Sequence, residues 1–162
     1  MKIRIFTTGG TFDKEYDPIS QKLVVKLTRV PKLLERGWCK AEVVVTPLMS
    51  MDSLDMADKD RLVISENCKQ AKEERILITH GTDTMDKTAA VLASEIKYKT
   101  IVLTGAVIPY EFKNSDSPFN LGAALAFVQT LPHGVYIAMN GMCFQWDKVK
   151  KNTQTGFFEE IK

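Results

Sequence analysis

Residues 75–96 read RILITHGTDTMDKTAAVLASEI, and this stretch decides the fold. Its first five residues form a near-continuous apolar run of strand length, closed by His80 and Gly81. After a short polar segment, Met85, Ala89, Leu92, Ala93 and Ile96 recur at the spacing of one helix face. A short strand that does not alternate apolar with polar is covered on both faces, as in a parallel sheet. The polar segment then falls at the carboxyl end of a strand, where open α/β sheets bind ligands.

The same unit recurs on either side. Residues 3–7, 43–46, 100–104 and 134–139 are further short runs rich in Ile and Val, and each is bounded by turn residues. Helical stretches are predicted over 31–36, 58–72, 85–96 and 118–131. The first starts with Pro31 and stops at Gly37. In the second, Leu62, Ile64 and the stem of Lys69 share a face; in the last, Phe119, Leu121, Leu125 and Val128 do. Alternating strand and helix predicts a three-layer, doubly wound α/β fold with a mainly parallel sheet. The flavodoxin-like strand order is expected first and the Rossmann order second. No linker divides the chain, so residues 1–162 are expected to form one domain.

Composition narrows the function classes. There are 22 basic and 20 acidic residues, so the formal charge of +2 is too small to point to nucleic acid or an anionic membrane. Three cysteines, Cys39, Cys68 and Cys143, stand far apart without a CxxC, which argues against a disulfide framework or a zinc site. The start, MKIRIFTTGG, lacks the apolar core of a signal peptide, and no run approaches the ~20 apolar residues of a membrane span. A cytoplasmic protein is expected. Asp52, Asp55, Asp58 and Asp60 lack the ligand pattern of a calcium loop, and no metal or cofactor is expected.

Four polar segments follow four different strands: Thr7-Thr8-Gly9-Gly10-Thr11, Met51-Asp52-Ser53-Leu54-Asp55-Met56, His80-Gly81-Thr82-Asp83-Thr84, and Gly105-Ala106 with Ser115-Asp116-Ser117-Pro118. The first is either a tight turn with a threonine cap or a place where backbone approaches a ligand. It matches neither G-x-G-x-x-G nor a P-loop. In the third, Thr82, Asp83 or Thr84 caps a helix, or a hydroxyl and a carboxylate are set together at a helix N-terminus. His80 reads as a hydrogen-bonded structural side chain.

Together these segments resemble the N-terminal domain of the L-asparaginase/glutaminase family. The resemblance rests on Thr8-Gly9-Gly10-Thr11, on His80-Gly81-Thr82-Asp83-Thr84-Met85-Asp86-Lys87-Thr88, and on Leu103-Thr104-Gly105-Ala106 with Ser115-Asp116-Ser117-Pro118-Phe119-Asn120-Leu121. Ser53-Leu54-Asp55-Met56 is similar to the family's substrate loop. The resemblance implies an amidohydrolase that acts on L-asparagine or L-glutamine through a threonine nucleophile. Thr11 would be that nucleophile, and Tyr16, on a flexible loop after it, would help activate it. Thr82, Asp83 and a lysine would form a second polar triad. Lys151 is favoured over Lys150, because Val149, Gly156 and Phe157 then keep the family's spacing. Ser53 and Asp83 would hold the α-carboxylate and α-ammonium of the substrate. Gly10, Leu54, Asp55, Gly81, Thr82 and Ala106 would line the pocket, with N–H groups near Thr82 as the oxyanion hole.

Two departures from the family carry expectations. Leu54 stands where many members have a polar residue. Typical members also continue into a second domain, so the site is expected to be completed by another copy, at least in a homodimer, or by a separate chain, or else to be more open and less active. The competing readings are a sensor that binds an acidic amino acid without turnover and a nucleotide- or phosphate-binding doubly wound domain.

Overall fold

The computed structural model describes residues 1–161. The apolar runs form the strands β1 (Lys2–Gly9), β4 (Glu42–Met51), β5 (Arg75–Thr79), β6 (Thr100–Thr104) and β7 (Gly134–Met139); β4, at the sheet edge, is only partly buried, unlike the covered strand expected over 43–46. Between them lie α1 (Val30–Arg36), α2 (Asp58–Gln70), α3 (Met85–Glu95) and α4 (Ser117–Thr130). The sheet order is β4-β1-β5-β6-β7, then β8 (Met142–Gln145). The first five strands are parallel, in the flavodoxin-like order, and β8 returns antiparallel at the edge.

Register explains the layering. Ile5, Leu77, Val102 and Tyr136 stand in one row across the sheet; Phe6, Ile78, Leu103 and Ile137 stand in the next. Side chains alternate along a strand, so the rows face opposite sides. The first row packs with Val30, Leu33 and Leu34 of α1 and Leu121, Ala124 and Val128 of α4. The second packs with Ile64 and Cys68 of α2 and Met85, Ala89 and Leu92 of α3. This is the three-layer fold expected from the runs. Two core assignments change. Leu62 and Phe119 are exposed, while Arg61, Ser65 and Cys68 fill the inner face of α2.

The small hairpins were not legible in the runs. β2 (Lys14–Asp17) pairs antiparallel with β3 (Lys22–Val25), and β9 (Val149–Lys151) pairs with β10 (Phe158–Glu160). Tyr16 is therefore a strand residue rather than a loop residue. The β2–β3 hairpin is anchored through Asp13, whose buried carboxylate accepts the Arg29 N–H and whose carbonyl accepts the Lys26 N–H. Glu15 pairs with Arg29, and Glu111 accepts the Tyr16 N–H at 2.8 Å. Among the described residues no helix is long and apolar enough to cross a membrane.

Candidate active site

At the carboxyl edge of the sheet the chain turns after β1, β4 and β5 within van der Waals reach of one another. Two glycines make this approach possible. A Cβ on Gly10, where φ is +72°, would stand 2.5 Å from the Gly81 Cα. A Cβ on Gly81 would stand 2.6 Å from both Cβ and Oγ of Ser53. Any larger residue at either place would push the three loops apart. The Gly10 N–H also donates to the Met51 carbonyl at 2.9 Å, which ties the turn after β1 to the end of β4.

Thr11, Ser53, Thr82 and Asp83 thus lie on loops that share this edge. Thr11 opens a short 3-10 turn and is half-buried, and its hydroxyl forms no hydrogen bond among the described residues. Ser53 is buried, and its Oγ also lacks a partner there. The Lys151 ammonium, at the end of β9, donates to Thr82 Oγ1 at 2.8 Å and to Asp83 Oδ1 at 2.7 Å. Lys150, its neighbour, is exposed. Strand alternation puts the two lysines on opposite faces of the hairpin.

The remaining predicted residues take different places. Tyr16 is half-exposed on the β2–β3 hairpin, and Leu54 and Asp55 are exposed on the loop after β4. A recess of ≈ 530 Å³ between that hairpin and the loop is lined by Lys14, Leu23, Val25, Asp52, Leu54 and Asp55. Ala106 is buried at the end of β6. The Asp52 carboxylate binds Lys14 at 2.5 Å and accepts the Leu54 N–H at 3.1 Å. Asp60 accepts the Ala57 N–H at the start of α2. Asp52 and Asp60 thus serve as turn and cap.

Asp116 and Asn120 hold the loop after β6. The Asp116 carboxylate accepts the Val107 and Ile108 N–H groups, and the Asn120 amide donates to the Gly105 carbonyl at 3.0 Å. Asn120 Oδ1 in turn accepts the Asn140 N–H at 3.1 Å. Their motif therefore shapes the edge from behind.

His80 lies beneath the site, fully buried. Its Nδ1 is 2.7 Å from the Gly81 carbonyl and its Nε2 2.8 Å from Thr88 Oγ1. Burial pushes its pKa from 6.5 down to about 4, so the ring is neutral. Between those values the unfolded chain binds a proton that the native state refuses. The contribution of His80 is complete above pH 6.5 and is lost as pH falls towards 4. Lowering the pH from 7 to 5 is expected to cost about 2 kcal/mol through this one ring. Urea unfolding midpoints at the two pH values, compared with those of His80→Gln, measure it; an equal pH effect in both proteins would refute the assignment.

Sequence reasoning missed two groups. Arg61, on the inner face of α2, is buried and donates to the Met56 carbonyl at 2.9 Å and to Thr84 Oγ1 at 3.1 Å. Thr84, read as a possible cap, instead donates to the Ser53 carbonyl at 2.8 Å. A charged residue within a weakly periodic helix gives no sequence signal of burial.

Known proteins resemble this chain in sequence and in fold. Residues 2–159 match the family model described as asparaginase, N-terminal. The chain is similar to an L-asparaginase of Thermococcus kodakarensis, 30% identical over 156 residues that cover 93% of this chain and 48% of the relative. One subunit of the glutamyl-tRNA(Gln) amidotransferase of Sulfurisphaera tokodaii is 33% identical over 86% of this chain and 33% of its own length. The solved thermostable L-asparaginase from Thermococcus kodakarensis superposes with a TM-score of 0.86 at 26% identity, over 99% of this chain and 51% of that one. The chain spans about half the length of the asparaginases it matches.

Proposed function

This chain belongs to the asparaginase family by its N-terminal domain, and from that membership we propose an amidohydrolase that releases ammonia from the side-chain amide of L-asparagine or L-glutamine. The observation that carries the reading is the Lys151 ammonium, bonded at once to the Thr82 hydroxyl and the Asp83 carboxylate at the sheet edge. A neutral hydroxyl is a weak nucleophile and needs a route for its proton.

In this reading the Thr11 hydroxyl attacks the amide carbon, with Tyr16 on its hairpin assisting. N–H groups near Thr82 receive the oxyanion. The amide nitrogen takes a proton and leaves as ammonia. Water then cleaves the threonine ester, releases the acid and restores the hydroxyl. The Thr82–Lys151–Asp83 chain moves the protons. Ser53 binds the α-carboxylate of the substrate and Asp83 its α-ammonium, while Gly10, Gly81, Leu54, Asp55 and Ala106 shape the pocket. Acyl transfer of this kind asks for no metal or organic cofactor. Three unpaired thiols support a cytoplasmic setting, and self-association as at least a dimer belongs to the same proposal.

An ammonia-coupled assay with L-asparagine and L-glutamine, on protein whose mass is followed by light scattering, is the test. Ammonia release above the rate of a Thr11→Ala control is expected. No release with either amide, together with calorimetric binding of L-aspartate, would instead identify a binding module. The relatives named as amidotransferase subunits favour a second reading, one half of a two-chain amidohydrolase, in which release appears only with a partner chain.

A further inference from the structure

Arg61 is an unusual occupant of a core position. Its side chain is only 5% exposed, and the one carboxylate it pairs with among the described residues, that of Asp58 at 3.4 Å, is fully exposed. Its Nε makes no hydrogen bond among the described residues. Burying a guanidinium without a buried carboxylate costs free energy, so its remaining contacts indicate what is gained in return. One terminal nitrogen donates to the Met56 carbonyl at 2.9 Å, the end of the loop after β4. The other donates to Thr84 Oγ1 at 3.1 Å, and Thr84 passes its own proton to the Ser53 carbonyl at 2.8 Å.

Residues 53–56 are therefore gripped from below at both ends by one planar fork. On the loop itself the grip uses only the backbone carbonyls of Ser53 and Met56, the first through the Thr84 hydroxyl. It leaves the Ser53 hydroxyl buried, packed beside Gly81 and without a partner among the described residues. A rigid planar donor pair spans two acceptors in a way a single ammonium does not.

We propose that Arg61, acting through Thr84, is a positioning residue that presets Ser53 for the α-carboxylate of the substrate and so governs affinity rather than chemistry. This rests on the amidohydrolase reading. Arg61 touches no reacting atom. Its loss acts through the loop.

The test uses Arg61→Met, Arg61→Lys, Thr84→Val and Thr84→Ser. Arg61→Met and Thr84→Val are expected to raise KM for L-asparagine about tenfold, the factor carried by one well-placed hydrogen bond, with kcat changed less than about threefold. Thr84→Ser keeps the hydroxyl and should restore KM; Arg61→Lys keeps charge without the fork and should not. Combined with Ser53→Ala, Arg61→Met should add little further, because both act on one contact. Full additivity with Ser53→Ala, or a fall in kcat at unchanged KM, would overturn the proposal. Amide hydrogen exchange of residues 53–56 separates the two levels of inference. Faster exchange in Arg61→Met in a protein that releases no ammonia would sink the amidohydrolase reading and leave the grip standing. Unchanged exchange would sink the grip itself.

Discussion

Thr11→Ala is expected to lower kcat for ammonia release on the order of 10⁴-fold, the loss that removing a covalent nucleophile carries. The hydroxyl is the only atom of this side chain with chemistry, and nothing in the fold uses it: it forms no hydrogen bond among the described residues. Its place is fixed by the backbone, at the head of the 3-10 turn that Gly10 starts. Deleting it should therefore leave the turn, the sheet and substrate binding intact. L-aspartate binding within about threefold of wild type, measured by calorimetry, would show the pocket preserved. A Thr11→Ala protein that keeps a tenth or more of its turnover would move the nucleophile elsewhere, with Thr82 as the next hydroxyl to test.

Lys151→Met should cost about 10²–10⁴ in kcat, the range for loss of a positioned proton-transfer group. Methionine keeps the length of the stem and removes the charge. Thr82 Oγ1 then loses its donor and Asp83 its ion pair. The stability cost is small by comparison. The Asp83 side chain is 43% exposed, and a pair so open to water is worth no more than ~1 kcal/mol. Activity and thermal midpoint should thus separate. Lys150→Met is the control, since that side chain points away from Thr82 and should change neither. Equal losses from both substitutions would show that the hairpin is sensed as a whole rather than through one ammonium.

What was legible in the sequence followed burial. Strands β1, β5, β6 and β7 announce themselves because both of their faces are covered, which leaves short apolar runs with turn residues at each end; β4, at the sheet edge, is legible from its Val run although none of its residues is fully buried. Their carboxyl ends carry Gly10, Ser53 and Gly81, so the shared edge could be named before its geometry. The hairpins were hidden for the opposite reason. Lys-Glu-Tyr-Asp and Lys-Leu-Val-Val are partly exposed, and Val-Lys-Lys and Phe-Glu-Glu are only three residues long. Such strands are held by pairing and by side chains such as Glu111, which lie far away in sequence. Arg61 was illegible because its burial depends on carbonyls of a loop that only the folded chain brings over it. Lys151 could be chosen over Lys150 only through the resemblance, since two adjacent lysines look alike until strand alternation separates them.

The ion pair between Lys151 and Asp83 joins parts of the chain 68 residues apart, and this has a consequence in time. A ribosome adds residues at roughly 5–20 per second, so Lys151 is made about 3–14 s after Asp83. Strands β1, β4, β5 and β6 all precede it and are free to pair as they emerge. The nascent protein passes through an interval with its edge loops assembled and its ammonium still unmade. In the proposed reaction this means that hydrolysis is armed late. A chain stalled before Lys151 holds the edge loops without the ammonium that bonds Thr82 and Asp83.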